Sequence, residues 1–130
     1  MKNKHLSGNL FTGKPLQIRE TSLSAMIAEY LDNRNIYNDR LNCLSVESKF
    51  GTWIQGCKKG TPDRFAIIRG RVIFIEVKQM GKKPSDVQKE RQAELEKHGA
   101  VIINADSFRS FTEKFSEIRT QIETGESLYQ

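Results

Sequence analysis

The sequence predicts an α/β domain with a mixed central β-sheet flanked by helices. Three observations carry that prediction. An amphipathic helical repeat follows a polar lead-in. Apolar, strand-like runs bounded by glycine and proline fill the middle. Capped helical stretches then alternate with one more apolar run. The predicted order is α-β-β-β-α-β, with a further C-terminal helix.

Residues 1–19 are polar and basic without periodicity, and are predicted as a flexible arm ahead of a single domain over residues 20–130. Lys2, Lys4, His5 and Lys14 in that arm read either as solvated charges or as phosphate contacts. A helix is predicted from Thr21 or Ser22 to about Asn33, because Leu23, Met26, Ile27, Tyr30 and Leu31 recur at amphipathic spacing. Ile36, Tyr37, Leu41, Leu44 and Val46 mark a strand region over residues 36–47, and Phe50 to Ile54 a further short strand. Phe65–Ile68 and Val72–Val77 are predicted as a hairpin turning at Gly70-Arg71. Ser85 is predicted to cap a helix reaching His98, with capping-box spacing to Gln88 and Gly99 as its stop. Val101-Ile102-Ile103 reads as a buried strand. Ser107 opens a last helix whose stripe of Phe108, Phe111, Phe115, Ile118 and Ile122 suits a core or subunit contact.

The chemistry concentrates between Gly60 and Lys78. Gly60-Thr61-Pro62-Asp63 delivers an aspartate from a turn, and the apolar run Val72-Ile73-Phe74-Ile75 ends in Glu76-Val77-Lys78. Strand alternation puts Phe74, Glu76 and Lys78 on one face and Ile73, Ile75 and Val77 on the other. The hairpin would bring Asp63 to the Glu76–Lys78 end. Two carboxylates there suit a hard cation bound through oxygen, and charges ending an apolar strand need each other, a metal or water. Glu20 reads two ways: as a dipole complement at a helix start, or as a third carboxylate. Lys58 and Lys59, in a glycine-flanked loop just before Asp63, are either phosphate contacts or solvated.

Composition narrows the classes. With 130 residues, 37% hydrophobic and 28% charged, the chain can bury the core of one domain. The net charge of +5 favours a polyanionic partner. No apolar stretch approaches the ~20 residues that span a bilayer, and no hydrophobic signal segment opens the chain, so a cytoplasmic protein is expected. Cys43 and Cys57 lack zinc-ligand spacing, and His5 and His98 are isolated. No glycine-rich phosphate loop supports ATP use.

Taken in order, Glu20, Tyr30-Leu31, Arg40-Leu41-Asn42, Gly60-Thr61-Pro62-Asp63, Glu76-Val77-Lys78, Ser85-Asp86-Val87-Gln88 and Gly99-Ala100-Val101 carry a family likeness. From Glu20 to about Ser107 the chain resembles a stand-alone VRR-NUC domain, a branch of the PD-(D/E)xK nuclease superfamily common in phages and prophages. The resemblance implies a restriction-endonuclease-like core and Mg2+- or Mn2+-dependent hydrolysis of DNA phosphodiester bonds. It implies that Asp63, Glu76 and the Val77 carbonyl hold the metal, with Glu20 completing the site. Lys78 would orient water or stabilise transition-state charge, and Gln88 would stand beside them. Arg40, Lys58, Lys59, Lys82 and Lys83 are the expected nucleic-acid contacts. A branched-DNA substrate such as a Holliday junction, and a homodimer, are implied in the same way. The family often carries a glutamine where this chain has Ser24. The alternatives are a non-catalytic DNA-binding module of the same fold in phage recombination or replication, and a small interaction protein using the Phe108–Ile122 stripe.

Overall fold

The computed structural model describes residues 18–41 and 44–125. The predicted arm as far as residue 17, together with Asn42, Cys43 and residues 126–130, lies outside the described residues. Ile18 and Arg19 lead straight into the first helix, and Ile18 already packs on the core.

Helix α1 (Glu20–Asn33) begins at Glu20, slightly earlier than the periodicity predicts, with no side-chain cap at Arg19. It buries Leu23, Ile27 and Leu31, the inner line of the predicted stripe, while Met26 stays at the margin. Strands β1 (Tyr37–Arg40), β4 (Arg64–Ile68), β5 (Arg71–Val77) and β6 (Val101–Ala105) form one sheet in the order β1-β4-β5-β6. β1–β4 and β4–β5 are antiparallel, whereas β5–β6 is parallel, so the sheet is mixed as expected. The crossover between the parallel strands is α2 (Asp86–Lys97), and α3 (Phe108–Thr124) ends the described chain.

Register explains the core. Ile73, Ile75 and Val77 stand opposite Val101, Ile103 and Ala105, and Ala66 opposite Ile73, so one face of the central strands is mainly aliphatic. That face meets Leu23, Ile27 and Leu31 of α1 and Phe111 and Phe115 of α3. Tyr30 makes edge-to-face contacts with Phe108, Phe111 and Phe115 at 5.6–6.0 Å between ring centroids. Phe111 and Phe115 of the aromatic stripe are thus buried in the core, with Phe108, Ile118 and Ile122 packed partly buried against it.

The predicted caps form. The Ser85 hydroxyl accepts from Gln88 N and the Gln88 side chain accepts from Ser85 N, completing a capping box. Ser107 accepts from Ser110 N at 3.0 Å. The middle of the chain differs from the prediction. Residues 36–47 are not one strand: Tyr37–Arg40 joins the main sheet, while β2 (Val46–Glu47) and β3 (Trp53–Ile54) pair only with each other. Leu44, Val46, Phe50, Trp53 and Ile54 are all more than half exposed. Apolar alternation there marks a short two-stranded hairpin separate from the main sheet.

Among the described residues no helix is long and apolar enough to cross a membrane.

Candidate active site

The turn that delivers Asp63 is built by close packing against α2. Gly60 has φ +81°, and a Cβ there would lie 2.6 Å from the Val87 carbonyl oxygen. Thr61 donates twice to the Lys58 carbonyl, from its amide at 3.2 Å and its hydroxyl at 2.6 Å. Arg91 Nε of α2 donates to the Lys59 carbonyl at 3.1 Å. Pro62 is fully buried. Asp63 follows, immediately before β4, and its carbonyl accepts from Leu41 N at 2.8 Å.

Because Arg64 stands opposite Ile75, the next residue outward, Asp63, faces the Glu76–Val77 end of β5. Asp63 Oδ2 accepts from Val77 N at 3.1 Å. Glu76 is 2% exposed, on the face covered by α2. Its Oε1 accepts from Gln88 Nε2 at 2.9 Å and lies 3.5 Å from Lys78 Nζ, whereas its Oε2 is buried without a hydrogen-bond partner. An ionised carboxylate so placed is costly. Burial pushes the Glu76 carboxyl up and the facing Asp63 pushes it further, against the pull of Lys78 and the Asp63 backbone, so it stands at about 7 instead of 4.5.

Gln88 performs both jobs open to it. Its amide oxygen caps α2 at Ser85 N, 2.9 Å away, which aims its amide nitrogen at Glu76. The cap is thus a positioning device for the site. Glu20, at the start of α1, accepts from Gln79 N at 3.0 Å, one residue beyond Lys78. Its carboxylate reaches the same strand end but is engaged with backbone. Among the described residues no three acidic, histidine or cysteine side chains form a ready cluster for a metal. The acidic core of the site is the pair Asp63 and Glu76, with Glu20 at its rim. An orphaned buried oxygen on Glu76 and a second carboxylate opposite it are a donor set that a hard divalent cation fits, since a cation would replace the missing hydrogen bond and cancel the repulsion.

The expected nucleic-acid contacts surround this point unevenly. Arg40 ends β1 opposite Arg64, at the sheet end where Asp63 lies, and is exposed. Lys58 and Lys59 project into solvent from a loop whose backbone is pinned as described. Lys82 and Lys83 are exposed in the turn between β5 and α2.

Sequence reasoning left several residues unassigned. Arg64 is 6% exposed and lies on the aliphatic face beneath α1, where it donates to Ser24 Oγ and Asn38 Oδ1, both at 3.2 Å. Ser24 is therefore the acceptor for a buried arginine. Burial, and then the charge of Arg40, hold the Arg64 guanidinium below its ordinary range. Gln92 and Asn104 exchange two hydrogen bonds at 2.7 and 3.1 Å between α2 and β6. Gln88 and Gln92, one turn apart, thus form a polar seam over Glu76 and its register neighbour Asn104. Two glutamines at i and i+4 on an otherwise polar helix were the available signal.

No protein-family model matches the chain, and no curated protein matches it in sequence.

Proposed function

We propose that this chain is a metal-dependent endonuclease of the VRR-NUC type, with a restriction-endonuclease-like core, hydrolysing DNA phosphodiester bonds in a bacterial or phage-infected cytoplasm. The observation that carries the reading is the buried Glu76 carboxylate. It faces Asp63 with one oxygen unpartnered, while Lys78 and Gln88 hold the other. A purely structural ion pair has no need of a second, repelling carboxylate.

Asp63, Glu76 and the Val77 carbonyl would hold Mg2+ or Mn2+, and the family likeness adds Glu20, whose carboxylate accepts from Gln79 N at the same strand end. The bound cation would supply Lewis-acid polarisation of the phosphate and of a water. The chain's own residues do the rest. Gln88 and Lys78 hold one Glu76 oxygen, leaving the other free of hydrogen-bond partners. Lys78, half-buried at the strand end, presents an ammonium that orients water or balances charge on the phosphate. Arg40, Lys58, Lys59, Lys82 and Lys83 offer the phosphate contacts that position a strand. The family likeness supports a branched-DNA substrate and a homodimer.

The test is cleavage of labelled four-way junction, flap and linear duplex DNA, and matching RNA, with Mg2+, Mn2+ or EDTA. Wild type is compared with Lys78→Ala. Metal-dependent cutting that disappears in a folded Lys78→Ala protein supports the nuclease, and the preferred substrate names its task. Tight binding with no cutting of any substrate refutes it in favour of the DNA-binding module.

A further inference from the structure

Behind the catalytic lysine, the carboxyl ends of the parallel strands β5 and β6 frame a cavity of about 160 Å3. Four lysines line it, Lys78, Lys82, Lys83 and Lys114, against a single carboxylate, Asp106. They come from three separate places in the chain: the end of β5, the turn before α2, and the second turn of α3. Lys78 is balanced by Glu76 at 3.5 Å, and Asp106 accepts from Gly81 N at 3.4 Å. Lys82, Lys83 and Lys114 form no ion pair with any described residue. Lys114 Nζ donates to the Asn104 carbonyl at 2.8 Å, which ties an exposed side chain to the cavity wall.

Like charges gathered without counter-ions repel, and each would be stabilised by an anion placed among them. The crevice beyond the carboxyl ends of parallel strands is also where open α/β sheets bind ligands. The volume is too small for a nucleotide, since whole-ligand pockets run to roughly 300–1,000 Å3, but it suits one phosphate group. We infer that Lys114, with Lys78, Lys82 and Lys83, forms a discrete phosphate-binding pocket that takes a nucleic-acid phosphate next to the one being cleaved. The pocket rests on the nuclease reading for its purpose, though not for its affinity for phosphate. Its occupant is a phosphate oxyanion, either an internal diester or a terminal monoester. Lys78 belongs to both sites, so it sets the spacing between the two phosphates.

Inorganic phosphate is titrated into metal-free protein while lysine ammonium resonances are followed by NMR, for wild type, Lys114→Gln, Lys114→Arg and Lys83→Gln. Loss of one charge-assisted hydrogen bond should weaken phosphate binding about tenfold. Lys114→Gln and Lys83→Gln should show that loss, and Lys114→Arg should recover most of it. Melting curves separate loss of the Lys114–Asn104 bond from loss of the anion site. Unchanged affinity in a folded Lys114→Gln protein, or shifts spread equally to Lys49 and Lys58, overturns the pocket. Cleavage then distinguishes the occupants. A terminal-phosphate pocket makes KM lower for a 5′-phosphorylated flap than for a 5′-hydroxyl flap, and Lys114→Gln erases the difference. An internal-phosphate pocket makes one uncharged methylphosphonate beside the cut raise KM, again only when Lys114 is present. DNA cutting with neither effect removes the pocket and spares the nuclease. Saturable phosphate binding lost in Lys114→Gln, without cutting of any substrate, supports the pocket and removes the nuclease.

Discussion

Replacing Glu76 with glutamine removes the charge that the fold tolerates least while keeping the shape of the side chain. The glutamine oxygen can still accept from Gln88, and its amide nitrogen takes the place of the oxygen that has no partner. Burial and Asp63 raise the Glu76 carboxyl from 4.5 to about 7, which corresponds to about 3 kcal/mol between its charged and neutral forms. A carboxyl raised on folding contributes stability that is fully present below its unfolded value of 4.5. That contribution is lost as pH rises through about 7. In EDTA, wild type should therefore lose about 3 kcal/mol of unfolding free energy relative to Glu76→Gln between about pH 5 and about pH 9. Above neutrality the variant should be the more stable protein, by roughly 10 °C in melting temperature. Urea unfolding across that range measures it. Parallel pH profiles for the two proteins, or a variant less stable than wild type at the alkaline end, would refute the assignment of Glu76 as a strained, buried carboxylate. Adding Mg2+ or Mn2+ at the alkaline end should stabilise wild type and leave Glu76→Gln nearly unmoved.

Gly60→Ala should destabilise by about 2 kcal/mol or more, because a positive φ and a contact of 2.6 Å with the Val87 carbonyl act together; urea unfolding is the measurement. Ser85→Ala should cost about 1 kcal/mol through loss of the α2 cap. Gln88→Ala removes the reciprocal cap and the Glu76 partner together, so it should lower DNA cleavage in a protein whose melt resembles that of Ser85→Ala. Phe111→Ala, at the centre of the aromatic cluster, should cost about 3–5 kcal/mol, read by the same unfolding assay.

Local pattern alone determined much of this protein. The stripe of α1, the caps at Ser85 and Ser107, and the alternation that sets Glu76 apart from Ile75 and Val77 all follow from backbone periods and short-range hydrogen bonds. Those features are written within a few residues of one another. The Gly60–Asp63 turn and the β4–β5 hairpin also brought Asp63 to Glu76 in prediction as in the structure, because a tight turn sets register locally.

Other features depended on partners far along the chain. Tertiary structure decided that α2 covers the Glu76 face, that Glu20 caps the backbone at Gln79, and that Arg64 is buried under Ser24. It also decided that Lys114 of α3 faces Lys78, and that the apolar residues around β2 and β3 remain exposed. Periodicity tells which side of a strand a group occupies. The cost of its charge depends on what lies across that side, and desolvation and Coulomb forces act between groups that only the packed fold brings together.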